Sequence, residues 1–153
     1  MDSLAADSFE RNGTGTDAEA QRAARDAIME IGAFPELLTR LTRVFGPGAE
    51  RDMIHQLIYW FSKPKMQNRW WAYKTADEWR DERGLNRKQV NKGRARLKPF
   101  GVLEEKYGPY KRIHYRIDWV RLAELLSIPS EGGPSYEWDD LEDDDFSVSY
   151  RDP

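Results

Sequence analysis

Two helix signals separated by a three-residue turn constrain the fold of this chain more than any other feature. Thr75 stands three residues before Glu78, which is the spacing of a capping box, so a helix is predicted to start at Ala76. Gly84 is placed to end that helix as a left-handed residue, and Asn86 is placed to cap the next one. Two helices joined by a turn of this length are typical of a helix-turn-helix.

The second of these helices is predicted over residues 87–98, and it is strongly basic. Seven cations and no acid lie within residues 83–98, although the whole chain has a net charge of −3. On a helical wheel Val90, Gly93 and Leu97 fall on the side expected to be buried, with Gly93 allowing another element to approach closely. The opposite side is small and polar at its centre and cationic at its edges, which suits a helix that enters the major groove of DNA. Its residues are Arg87, Lys88, Asn91, Lys92, Ala95 and Arg96.

The residue types on this face fit a DNA surface. Asn91 is able to pair with adenine through both ends of its amide, and Lys88 is able to reach the acceptors of guanine. The N–H groups at the start of the helix attract a phosphate. Because the stretch contains no acid, its cations are expected to be free for phosphates. The alternative reading is an ordinary solvated face, which is the usual meaning of a charge run.

Further helices and a β-hairpin surround this motif. Apolar residues at helical spacing predict helices over 34–45 and 49–61. Strands are predicted over 102–107 and 111–117, with Gly108-Pro109 in the loop between them. In the second strand Ile113, Tyr115 and Ile117 alternate with Arg112, His114 and Arg116. An extended segment is predicted at Trp70-Trp71-Ala72-Tyr73, and a last helix is capped by Asp118.

Aromatic and basic residues surround the tip of the predicted hairpin. They are Lys106, Tyr107, Tyr110, Lys111 and Arg112. Such a tip, or wing, is expected to follow a phosphate backbone or to enter a minor groove. The alternative is that Tyr107 and Tyr110 simply pack on each other.

The order of elements predicts a mainly α fold with a small β-hairpin (α+β), namely a winged helix-turn-helix with disordered acidic termini. Four segments are expected: a disordered segment at 1–16, a short helix within 17–33 that Thr16 caps, the winged helix-turn-helix domain at 34–129 and a disordered acidic tail at 130–153. The tail has a net charge of −8, whereas residues 63–116 have a net charge of +10. Charge divided in this way indicates an anionic partner for the middle of the chain.

Several classes of function are not expected. The chain has no Cys and only two His, of which His55 is expected to pack within a helix and His114 lies on a hairpin strand. No catalytic or metal-binding motif occurs, and the Asp143–Asp145 run cannot hold metal ligands in place on a flexible tail. We therefore expect a non-enzyme without a cofactor. No apolar run spans a membrane and the N-terminus has no signal-peptide pattern, so a soluble, cytoplasmic protein is expected.

Residues 35–126 resemble the winged-helix module of bacteriophage replication-initiation (replisome-organiser) proteins and related phage helix-turn-helix proteins. The segments that carry the resemblance are His55–Trp60, Trp71–Thr75, Glu78-Trp79, Gly84–Val90, Leu97, Gly101–Leu103 and His114–Asp118. The resemblance implies binding to double-stranded DNA, often at repeats in a phage origin. Longer members recruit host replication proteins through a further C-terminal domain. This chain has the acidic tail in that place, so the tail is the segment that would contact such proteins.

Two other functions stay open from the sequence. One is a transcriptional repressor of the winged-helix type that acts as a homodimer. The other is a non-catalytic interaction protein that blocks a host factor, in which the acidic tail imitates nucleic acid and Trp138, Phe146 and Tyr150 act as anchors.

Overall fold

The computed structural model describes residues 18–32 and 34–128, which form a mainly helical α+β fold with a three-stranded antiparallel sheet. The helices of this described part are α1 (Ala18–Ile31), α2 (Phe34–Phe45), α3 (Ala49–Phe61), α4 (Ala76–Arg83), α5 (Arg87–Leu97) and α6 (Trp119–Leu125). The strands are β1 (Ala72–Tyr73), β2 (Leu103–Tyr107) and β3 (Ile113–Ile117). The expected segment 1–16, the Thr16 cap and the acidic tail lie outside the described residues.

The local signals around the three-residue turn are confirmed. Thr75 Oγ1 accepts from the backbone N–H of Glu78 at 3.1 Å, and the Glu78 carboxylate accepts from the backbone N–H of Thr75 at 2.9 Å. Gly84 is left-handed, with φ of 69°. Asn86 caps α5 and forms a second capping box with Gln89. Helix α5 ends one residue earlier than predicted, because the chain tightens into a 3-10 turn at Lys98–Phe100.

Helix α5 lies close against α3, and Gly93 is the residue that permits this approach. A Cβ atom at Gly93 would lie 2.5 Å from Met53 Sδ and 3.3 Å from the carbonyl carbon of Ala49. Both distances are shorter than ordinary van der Waals contact, so a larger residue would push the helices apart. Val90 and Leu97, on the same side of α5, are buried, as the wheel predicted.

Helix α1 docks on the rest of the fold through two buried polar side chains. Gln21 donates to Asp118 Oδ1 at 2.8 Å and accepts from the backbone N–H of Trp119 at 2.8 Å. Arg25 donates to three backbone carbonyl oxygens, at distances from 2.7 to 2.9 Å. Its guanidinium also lies over the rings of Phe61, Trp70 and Trp119. Helix α1 is therefore held by these polar contacts as well as by its buried apolar side chains, such as Ala24 and Ile28.

The predicted hairpin is part of a three-stranded sheet in the order β1-β3-β2. Strand β3 is the central strand: its residue His114 pairs with Tyr73 of β1 on one side and with Lys106 of β2 on the other. The alternation predicted for β3 is present, but both of its faces are buried, since His114 and Arg116 are as inaccessible as Ile117. Arg116 is neutralised there by Glu104 and lies over the ring of Trp71. His114 and Arg116 are thus buried because β3 is the central strand and both of its faces are covered.

Candidate nucleic-acid interface

The outward face of α5 has the composition that the wheel predicted. All six residues assigned to it are exposed, and the three assigned to the opposite side are buried. The capping box of Asn86 and Gln89 fixes where the helix begins, and its seating on α3 fixes its rotation. The exposed residues are Arg87, Lys88, Asn91, Lys92, Ala95 and Arg96.

The expectation that all cations of residues 83–98 are free is wrong for three of them. Arg83 lies 3.2 Å from an oxygen of Asp52 and donates to His55 Nδ1 at 3.2 Å. Arg96 lies 3.7 Å from Glu50, although it stays 53% exposed. The third, Arg94, is bound to an acid of β2. These acids belong to α3 and β2, so counting acids within the stretch could not find them.

Four cations of residues 83–98 are accessible to an anionic ligand. Within the part of the chain that the structure describes, no carboxylate forms an ion pair with Arg87, Lys88, Lys92 or Lys98. All four are exposed. They therefore supply the positive surface that an anionic ligand would meet.

Arg94 connects the exposed face of α5 to the sheet. Its guanidinium donates to both carboxylate oxygens of Glu105, at 3.0 and 2.9 Å, and this bonding raises the pKa of Arg94. A further N–H of the same group donates to Asn91 Oδ1 at 3.1 Å. With Oδ1 engaged, the amide N–H groups of Asn91 are the part best placed to meet a ligand. Donors of this kind match acceptors such as guanine O6 and N7. Pairing with adenine through both ends of the amide, as expected from the sequence, would require Oδ1 to leave Arg94.

An open cleft of about 510 Å³ lies between α5 and the hairpin. Trp79 and Tyr115 contribute aromatic surface to it, and burial raises the pKa of the Tyr115 phenol, which keeps that group neutral. Lys74 also lines the cleft, but its ammonium bonds both oxygens of Glu82. The cleft brings together two sets of residues predicted separately as recognition helix and wing: Arg87 and Asn91 from α5, and Tyr107 and Arg112 from the hairpin.

The hairpin tip presents two exposed tyrosines beside one arginine. Tyr107 is 70% exposed and Tyr110 is 87% exposed, so the two rings do not bury each other. Arg112 donates to the hydroxyl of Tyr73, and its guanidinium lies 5.0 Å from the ring centroid of Tyr73 and 5.6 Å from that of Tyr110. The tip is therefore a cation held between aromatic rings.

The other two residues predicted for the tip have different positions. Lys106 lies over the ring of Trp71 at 4.0 Å, on the opposite face of the sheet from Glu105 and Tyr107. It is consequently directed away from the cleft. The side chain of Lys111 lies outside the described part of the chain.

Sequence reasoning missed two residues that organise this surface, Glu105 and Tyr73. The alternation of β2 offered a signal for Glu105, because it places Glu105 and Tyr107 on the same face. No comparable signal existed for Tyr73, since its role depends on the pairing of a two-residue strand with β3.

Comparison of the chain with protein-family models, with curated proteins and with solved structures gave no match. Within residues 18–32 and 34–128 no helix has the length and apolar character needed to cross a membrane. The same residues contain no group of three or more His, Asp or Glu side chains arranged to hold a metal ion. The Asp143–Asp145 run lies outside them.

Proposed function

We propose that this chain is a sequence-specific double-stranded DNA-binding protein of the winged helix-turn-helix class. In this proposal α4 and α5 are the helix-turn-helix, α5 enters the major groove, and the β2–β3 hairpin is the wing. The observation that carries the proposal is the shared cleft, which has an exposed cationic helix on one side and an arginine-bearing hairpin on the other. The resemblance to phage replication-initiation proteins supports a role in starting phage-type DNA replication.

The arrangement suits a DNA duplex because groove and backbone contacts come from neighbouring elements. Lys88, Asn91 and Lys92 lie on the exposed face of α5, where they would meet base edges and nearby phosphates. Arg87 and Arg112 stand on the two sides of the cleft, where a sugar–phosphate strand would pass between helix and wing. Phosphate contacts of this kind set the register, and contacts from the helix to bases give the sequence preference.

Salt dependence tests the electrostatic part of this proposal. If about four to six phosphates are neutralised, log K should fall against log salt with a slope of roughly −4 to −5. Lys88→Ala should make the slope shallower by about one and weaken binding to a selected site by about 1–3 kcal/mol. Lys65→Ala is the matched control, because it removes one exposed lysine charge from a different element. Lys65 lies in the 3-10 turn Pro64–Met66, which contacts α1 through the Met66 carbonyl oxygen. A slope near zero, or equal effects of the two variants, would contradict the proposal.

The cellular role needs a separate measurement. Mobility shifts on fragments from a phage-type origin and from the promoter of the protein's own gene would compare the two DNA roles. Preference for repeats in the origin supports replication initiation, whereas preference for the promoter supports a repressor. Binding to neither fragment, together with a shallow salt slope, would leave a protein-interaction role.

A further inference from the structure

We infer that the hairpin tip binds an unpaired base beside the duplex by stacking it on Tyr110. The inference rests on the proposed function and adds to it a preference for DNA in which base pairs are locally open. It comes from three features of the tip: a stacked column of side chains, the backbone conformation of Tyr110, and the charge around the rings.

The column consists of Tyr73, Arg112 and Tyr110. Tyr73 is buried at the base, and its hydroxyl accepts from the Arg112 guanidinium. Arg112 lies over the ring of Tyr73 and also near the ring of Tyr110, at 5.0 and 5.6 Å from the two centroids. Arg112, itself an exposed residue, therefore contacts Tyr110 while 87% of Tyr110 stays exposed. An aromatic base stacked on the Tyr110 ring would extend this column by one layer.

The backbone holds Tyr110 outward at a conformational cost. Its φ is 62°, in the left-handed region that tyrosine seldom adopts. The tip is closed by a hydrogen bond from the Gly108 N–H to the Arg112 carbonyl at 2.8 Å, and the His114 ring packs directly against Gly108. These two contacts define the turn that presents the ring. Strained conformations that the surrounding structure maintains are concentrated at functional sites.

An unpaired base fits this ring better than an intact duplex does. In a duplex the faces of each base are covered by its neighbours, so an exposed aromatic ring finds only base edges and sugars. An opened base offers a free face, and stacking on it depends little on sequence. Tyr107, which is also exposed, lines the same cleft as Arg87 and Arg112, so phosphates of the same strand would meet cations there. This charge favours a polyanion over an apolar protein surface.

The test compares three DNA ligands of one sequence: a fully paired duplex, the same duplex with a short internal bubble, and the single strand. Affinities are measured by fluorescence anisotropy with the full chain and with Tyr110→Asn and Tyr110→Phe. Asparagine tolerates a positive φ but removes the ring, whereas phenylalanine keeps the ring as the matched control. We expect Tyr110→Asn to weaken bubble binding about tenfold more than it weakens duplex binding, because only the bubble offers a free base face. Tyr110→Phe should retain the affinity for both.

A base analogue reports the stack directly. With 2-aminopurine at an unpaired position, the wild-type chain and Tyr110→Phe should quench its fluorescence, and Tyr110→Asn should not. Equal losses of duplex and bubble affinity in Tyr110→Asn, or no loss in either, would overturn the inference and assign the tip to backbone or protein contacts. The affinity of Lys88→Ala for the duplex separates the two proposals. If Lys88→Ala weakens duplex binding as expected but Tyr110→Asn binds all three DNA ligands like the wild type, only the stacking inference is rejected.

Discussion

Arg94 and Glu105 join the exposed helix to the hairpin through two parallel hydrogen bonds, at 3.0 and 2.9 Å. The pair is half-buried, with 23% and 19% of the two side chains exposed. Because the same guanidinium also donates to Asn91, the carboxylate of a hairpin residue is linked to a residue on the exposed face of α5. Helix α5 and the hairpin are consequently joined into one surface by this pair.

Glu105→Gln is expected to alter sequence preference more than stability. The neutral amide weakens a charge-assisted pair and frees Arg94 to move, at a cost of roughly 1 kcal/mol in the free energy of unfolding. Asn91 loses its fixed orientation, so under the proposed function the discrimination between DNA sequences should fall. Binding to a selected site and to variants of that site measures this loss.

Glu104→Gln is the matched control for that experiment. Glu104 neutralises Arg116, which is 1% exposed and lies on the face of the sheet away from α5. Removing the charge partner of a buried cation should cost about 3 kcal/mol or more of stability. Sequence preference should stay as in the wild type at temperatures where the variant is folded. The same loss of preference in both variants would mean that the Arg94–Glu105 pair has no specific role.

The parts of the fold predicted from sequence are those set by residues a few positions apart. Thr75 and Glu78 form the capping box at the start of α4, and Gly84 directly follows its last residue. The start and stop signals of this helix therefore lie within one short stretch of sequence. Distant partners left no such signal. Gln21 meets Asp118 across 97 positions, and neither residue has a property that identifies the other.

The same distinction applies to the candidate site. The exposed face of α5 followed from helical periodicity, since Val90, Gly93 and Leu97 define the buried side. Which cations of that region are already neutralised depends on contacts with α3 and β2, and these contacts appear only in the folded chain. The sequence therefore predicted where the positive surface lies and overestimated how much of it is open.

Gly93→Ala should destabilise the protein by forcing α5 away from α3. The new methyl group would lie 2.5 Å from Met53 Sδ and 3.3 Å from backbone of Ala49, which overpacks the contact by roughly 1–3 kcal/mol. Chemical denaturation measures the change. In the double variant with Met53→Ala the two effects should be less than additive, because the sulfur that clashes has been removed. Full additivity would show that Met53 is not the residue under strain.

Arg25→Met should lower stability strongly while leaving the exposed face of α5 unchanged. The substitution keeps a long apolar stem but removes a donor from each of three backbone carbonyl oxygens, two of them in buried hydrogen bonds. The Met66 oxygen still accepts from the Arg69 N–H, so two oxygens, those of Phe61 and Arg69, lose their donor. Each unsatisfied group costs about 1 kcal/mol or more, so a loss of about 2 kcal/mol or more is expected in urea denaturation. Arg25→Lys should recover only part of this, since one ammonium cannot reproduce the guanidinium geometry. Full stability of Arg25→Met would mean that α1 is held by its apolar side chains alone.

Acidification should destabilise the fold through His55. Burial, and next the positive charge of Arg83, lower the pKa of His55 to about 4. Arg83 donates to His55 Nδ1, a contact that requires this nitrogen to be unprotonated. The unfolded chain, with an ordinary histidine pKa near 6.5, binds the proton more readily than the native state. The contribution of His55 is therefore complete above about pH 6.5 and decreases as the pH falls toward 4, reaching roughly 2 kcal/mol of loss at pH 5.

His55→Gln isolates this effect, because glutamine does not titrate and keeps a polar side chain near Arg83. The free energy of unfolding, measured by urea denaturation from pH 7 to pH 4.5, should fall less steeply in His55→Gln than in the wild type. Asp118 acts in the opposite direction, since burial raises the pKa of its carboxyl and the folded state takes up that proton more readily. Asp118 is present in both proteins and is not among the groups that shift the pKa of His55, so its contribution cancels in the comparison. Parallel pH profiles for the two proteins would show that His55 has the same pKa folded and unfolded, contrary to its burial against Arg83.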